Sequence, residues 1–101
     1  MEIVVQLRDV QVDGQLDTHV RERMQFAIGQ HEEQIDRVKV TLQDVNGPKG
    51  GRDKRCQVQV RLRPRGDVVV EELGDDLYAA ASHAADRIKV AVARELERRR
   101  T

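Results

Sequence analysis

Two stretches of strict alternation, residues 37–45 and 55–63, constrain this chain more than any other feature. In the first, Val38, Val40 and Leu42 fall on one side and Lys39, Thr41 and Gln43 on the other. In the second, Cys56, Val58, Val60 and Leu62 alternate with Arg55, Gln57, Gln59, Arg61 and Arg63. A period of two belongs to a strand with one buried face and one wet face. The intervening Asn46-Gly47-Pro48-Lys49-Gly50-Gly51-Arg52 cannot continue a strand and reads as a basic, glycine-rich loop. Together these segments predict a hairpin whose apolar side needs a covering layer.

Two helical patterns supply that layer. Leu16, Val20, Met24, Ala27 and Ile28 recur with the spacing of one helix face, which predicts a helix capped by Asp17 or Thr18 and running to about Glu33. A longer pattern, Leu77, Ala80, Ala81, Ala84, Ala85, Ile88, Ala91, Val92 and Leu96, predicts a second helix capped by Asp75 or Asp76 and reaching about Arg98. Residues 2–8 read as a first strand followed by an Asp13-Gly14 turn, and residues 68–73 as a fourth strand between Pro64-Arg65-Gly66-Asp67 and Gly74. The expected fold is α+β, in the order β-α-β-β-β-α, with both helices on one face of a four-stranded sheet. With 101 residues the chain forms a single domain, 1–101.

Charge, at 36% of the residues, nearly equals the 39% that are hydrophobic, so a thin core sits beneath a well-solvated surface. The net charge is zero, but its distribution is uneven. Residues 1–36 carry 3 basic and 8 acidic side chains, residues 37–66 carry 9 and 2, and residues 67–101 carry 6 and 8. The basic middle third implies a polyanionic partner, because a local patch acts within a Debye length of roughly 8 Å whatever the total charge. Lys49, Arg52, Lys54 and Arg55 are its densest part, and Arg87 and Arg94 extend a basic flank along the second helix. Lys89 falls on the opposite flank, and Phe26 points away from the apolar stripe of its helix.

The same residues argue against catalysis. His19, His31 and His83 are scattered, and Cys56, the single cysteine, occupies an inward strand position where a core thiol is expected. His31 falls on the apolar side of the first helix and is expected to pack. The glycine loop lacks the Gly-Lys-Ser/Thr ending of a phosphate-cradling loop. The chain therefore reads as a binding protein and not an enzyme, with no metal, no cofactor and no small-molecule substrate. No apolar run reaches the roughly 18 residues of a membrane span, no leader pattern opens the chain, and a lone cysteine forms no internal disulfide, all consistent with a cytoplasmic protein.

Four segments, in this order and spacing, carry a family resemblance. They are Leu16-Asp17-Thr18-His19-Val20, Arg37-Val38-Lys39-Val40-Thr41-Leu42, Asp53-Lys54-Arg55-Cys56-Gln57-Val58, and Asp76-Leu77-Tyr78-Ala79-Ala80-Ala81 continuing to Ala85-Asp86-Arg87-Ile88-Lys89. The chain resembles the ribosome hibernation promoting factor and ribosome-associated inhibitor family, also labelled sigma-54 modulation proteins. The resemblance implies a double-stranded-RNA-binding-like fold that docks on the small ribosomal subunit and occludes the channel for messenger and transfer RNA in stationary phase and stress. It assigns RNA contacts to Arg87, Lys89, Lys54 and Arg55, while Lys49, Arg52 and Arg94 are added from charge. Ending at Thr101, the chain resembles the short form, for which a separate ribosome-dimerising factor is a further expected partner. Val90-Ala91 departs from the basic or polar run of many relatives, and the first third is acidic. Those departures support an alternative, a protein-interaction module of the same fold that has lost ribosome binding.

Overall fold

The computed structural model describes residues 1–11, 13–45 and 53–100. Its elements are strand β1 (Glu2–Arg8), helix α1 (Gly14–Ile28), a 3-10 segment (Gly29–Gln34), strands β2 (Ile35–Asp44), β3 (Lys54–Leu62) and β4 (Asp67–Gly74), and helix α2 (Leu77–Arg99). The β-α-β-β-β-α order and the α+β class are as the periodicities predict. The strands lie in the order β1-β2-β3-β4. β1 runs parallel to β2 in the register Val4↔Lys39, whereas β2–β3 and β3–β4 are antiparallel, with Val40↔Val58 and Val58↔Val70.

This register puts Val38, Val40, Leu42, Cys56, Val58, Val60, Leu62 and Val70 on one face, all buried. Both helices cover that face. α1 contributes Leu16, Val20, Met24, Ala27 and Ile28, and α2 contributes Ala80, Ala81, Ala84, Ala85, Ile88 and Val92. Four alanines let α2 lie close to β3 and β4. The approach is close at Gly74, where a Cβ would stand 2.6 Å from the backbone nitrogen of Ala80, so a larger residue would push the start of the helix away. Burying side chains such as Ile88, Ile28 and Leu42 supplies roughly 1.5–3 kcal/mol each, the main drive for closing the two layers.

Three local expectations are revised. α1 is capped by Asp13, not by Asp17 or Thr18. Asp13 has an extended backbone, its side chain accepts a hydrogen bond from the Gln15 amide at 3.0 Å, and the helix begins at once at Gly14. An aspartate that bonds an amide two residues ahead makes a turn and a cap together, so the Asp13-Gly14 turn signal and the helix start are one feature. α1 also stops earlier than Glu33. At His31 the backbone leaves the helical region (φ −105°, ψ 18°), and the tighter 3-10 segment delivers Ile35 to the core. His31 is accordingly half-buried and bonded to Gln30 at 3.2 Å, not packed on an apolar helix face. For α2, Asp76 is the cap, accepting from the Ala79 amide at 2.7 Å.

Between β3 and β4 the Arg63–Pro64 peptide is cis and Gly66 takes φ +102°, a left-handed conformation that a side chain resists. Among the described residues no helix is long and apolar enough to cross a membrane.

Candidate nucleic-acid interface

The two layers leave two broad surfaces, the outer side of the helices and the uncovered side of the sheet, and the cations divide between them. Lys54 has the parity of Cys56 and faces the helices, where it is half-buried at the β3 start. Its ammonium lies 2.9 Å from Asp53 Oδ1 and 3.1 Å from Asp44 Oδ2. Asp53 is only 2% exposed, so Lys54 neutralises a carboxylate that has left water. Its hydrogen bonds to Asp53 and Asp44 hold the Lys54 ammonium above its ordinary pKa. Arg55, one residue on, has the parity of Gln57 and Gln59 and faces the uncovered side, where it bonds Gln43 and lies 3.8 Å from Glu71.

α2 separates the helical cations in the same way. Its flank toward α1 forms a seam in which His19 Nε2 lies 3.3 Å from Ser82 Oγ and Arg23 lies 3.2 Å from Asp86. In the same seam the Lys89 ammonium stands 6.0 Å from the centroid of Phe26, within the outer range of cation–π attraction. Phe26 is 81% exposed, the most open of the large apolar side chains among the described residues. The opposite flank faces β4. There His83 Nδ1 lies 3.3 Å from the Leu73 carbonyl, and Arg87 donates to the Glu71 carbonyl at 3.3 Å and to Glu72 Oε2 at 2.7 Å. β4 is an edge strand, so these contacts satisfy carbonyls that have no neighbouring strand. Arg94, farther along, is exposed with no ion pair among the described residues, and the same holds for Lys89. Arg98 is drawn to Glu95 at 2.6 Å.

Of the seven expected contact residues, Lys49 and Arg52 lie outside the described residues. The other five do not share one face. Lys89 and Arg94 are the open cations of the helical layer, Arg87 and Lys54 are engaged with carboxylates, and Arg55 is on the far side of the sheet. A surface joining the hairpin to α2 therefore cannot include Arg55, whereas Lys54 lies on the helical side with α2. Residue alternation already separates Lys54 from Arg55, because neighbours on a strand point to opposite faces. The uncovered face also holds cations outside the expected set, Arg8, Arg37, Lys39 and Arg61. Lys39 and Arg61 were legible from alternation, whereas grouping them with Arg8 requires the pairing of β1 with β2.

At each helix N-terminus one amide is already taken, that of Gln15 by Asp13 and that of Ala79 by Asp76, and the capping carboxylate disfavours a phosphate beside it. Burial pushes the Cys56 thiol up to about 12, so at neutral pH it stays protonated inside the core and is a poor nucleophile.

Comparison with known proteins agrees with this fold. The family described as "Sigma 54 modulation protein / S30EA ribosomal protein" matches residues 3–100. Among solved structures, the Protein Y N-terminal domain of Thermus thermophilus is similar, with a TM-score of 0.74 and 27% identity over 93% of this chain and 98% of that one. A ribosomal subunit interface protein of Coxiella burnetii has a TM-score of 0.76 over 96% of this chain and 99% of that one, and at 14% identity the likeness is one of fold. No curated protein matches the sequence.

Proposed function

The chain belongs to the sigma 54 modulation protein / S30EA ribosomal protein family, and from that membership we propose that it is a ribosome-associated translation silencer. It binds the small ribosomal subunit and blocks the channel for messenger and transfer RNA. The observation that carries this reading is the family match over residues 3–100. It is supported by the likeness to a Protein Y domain and by open cations on the helical layer. Lys89 and Arg94 would contact ribosomal RNA phosphates first, being exposed and without ion pairs among the described residues. Arg87 would have to share its guanidinium with Glu72.

Because phosphate contacts release counterions, co-sedimentation with small subunits should be strong at low salt and weaken as salt rises. The double variant Arg87→Glu, Lys89→Glu should lose binding while keeping its fold. Absence of the wild-type protein from every ribosomal fraction at low salt would refute the reading, and unaltered binding of the double variant would refute this use of α2. The expected ribosome-dimerising partner would be sought in the same gradients.

A second reading, a protein-interaction module of the same fold, is favoured by Phe26 and Val90, which are 81% and 47% exposed on the helical layer. A pull-down enriched in one protein and free of ribosomal RNA would support it.

A further inference from the structure

Lys39 occupies the middle of the sheet's uncovered face, opposite Gln59 of β3 and Val4 of β1. It lines two adjoining polar depressions. One, of about 160 Å³, is walled by Arg37, Gln59 and Arg61. The other, of about 270 Å³, has Arg8, Arg55, Gln57 and Glu71 among its walls. We propose that this face binds the sugar-phosphate backbone of single-stranded RNA, with Lys39 and Arg8 as its principal cations. The inference deepens and rests on the ribosome-binding reading, giving the domain a second RNA surface on the side of the sheet opposite Lys89 and Arg94.

Charge and shape select this occupant. The face carries five cations, Arg8, Arg37, Lys39, Arg55 and Arg61, and three carboxylates, Glu2, Asp67 and Glu71, all on the outer strands β1 and β4. Lys39 and Arg8 have no ion pair among the described residues. The other three cations do: Arg37 with Glu2 at 3.1 Å, Arg61 with Asp67 at 3.4 Å and Arg55 with Glu71 at 3.8 Å. Pairs this exposed add little to stability, so a phosphate can replace a carboxylate at small cost. Gln57 and Gln59 stand between the cations and can donate to phosphate or ribose oxygens. The depressions follow the β2–β3 pair, and Arg37 to Gln43 spans about 20 Å of extended strand, a line suited to an extended polyanion. No aromatic side chain is on this face, so bases would not stack on it and the binding would not depend on sequence.

The test is fluorescence-polarisation binding of the full chain to a labelled oligouridylate of about 12 nucleotides, within the usual range of single-strand site sizes. If all five cations each neutralise one phosphate, the logarithmic salt slope should be about −3.5, a loss of roughly a hundredfold between about 50 and 200 mM salt. Neutralising two of them in Arg8→Gln, Lys39→Gln should reduce the slope to about −2. The charge-reversed Arg8→Glu, Lys39→Glu should bind at least about tenfold more weakly at low salt, with an unchanged melting temperature. The conservative pair Arg8→Lys, Lys39→Arg should restore binding. The proposal is overturned if the wild-type chain fails to bind the oligonucleotide at low salt, if both double variants bind as wild type does, or if polyglutamate of equal charge competes as well as RNA. Ribosome sedimentation of the same wild-type protein is read separately: its failure overturns the ribosome reading, whereas failure with the oligonucleotide alone overturns the sheet-face site.

Discussion

Lys54 and Arg55 are adjacent in the chain and point to opposite sides of the sheet. Lys54 is held between Asp53 and Asp44 on the helical side, and Arg55 lies against Gln43 and Glu71 on the uncovered side. The first cation answers a buried carboxylate, and the second adds to a solvated surface.

Lys54→Ala should therefore lower the melting temperature clearly more than Arg55→Ala, because it leaves Asp53 buried without its cation. The effect should depend on pH in a defined sense. With its pKa raised in the folded state above the ordinary 10.5, Lys54 contributes stability that is fully present below about pH 10.5 and is lost as pH rises through the higher folded value. Thermal melts of wild type and Lys54→Ala should thus converge in strong alkali. Equal melting temperatures for the two alanine variants at pH 7 would refute the assignment.

Asp13→Ala should cost about 0.5–2 kcal/mol through loss of the α1 cap. Asp13 also accepts a hydrogen bond from the Tyr78 hydroxyl at 3.0 Å, so the variant unties the start of α1 from the start of α2 as well. Thr18→Ala, on the exposed side of α1, should stay within about 0.5 kcal/mol. Urea unfolding of the pair distinguishes the two cap positions, and a larger cost at Thr18 would contradict the helix start at Gly14.

Ile88→Ala should cost about 2–5 kcal/mol, since Ile88 is fully buried where α2 meets the sheet and its neighbours cannot close the space completely. In a domain with so few large core residues this is a large share of the total stability. A urea midpoint close to that of wild type would mean that the layers repack freely.

Glu95 governs the acid limb of α2. Hydrogen bonds from Arg98 and Arg99, at 2.6 and 2.9 Å, hold its carboxyl below the ordinary 4.5. The stability it contributes is present above about pH 4.5 and is lost as pH falls through the lower folded value. Glu95→Gln should therefore melt lower than wild type at pH 7, with the difference shrinking in strong acid. A difference that does not vary with pH would exclude this carboxylate as its source.

How far the fold was legible follows from period. β2 and β3 alternate because one face is wet and the other dry, and α1 and α2 repeat their apolar residues because one stripe of each is buried. Val38, Val58, Val20 and Ile88 were therefore identifiable as core from spacing alone. The cap at Asp13 was obscured because the apolar pattern starts at Leu16, later than the hydrogen bonding that begins the helix. The end of α1 was obscured because the 3-10 segment keeps a helix-like composition while changing its hydrogen bonding.

The sequence by itself determined the element order, the inward residues, the basic character of the middle third and a family resemblance that residues 3–100 bear out. Only the tertiary structure decided which cations are available and which of them, from different elements, come together. It tied Lys54 to Asp53, turned Arg87 onto the β4 edge, left Lys89 and Arg94 open, and brought Arg8 beside Lys39 and Arg55 across three strands. The physical reason is that burial periodicity is a local property, whereas the partner of a charge is set by whichever strand or helix the fold lays beside it.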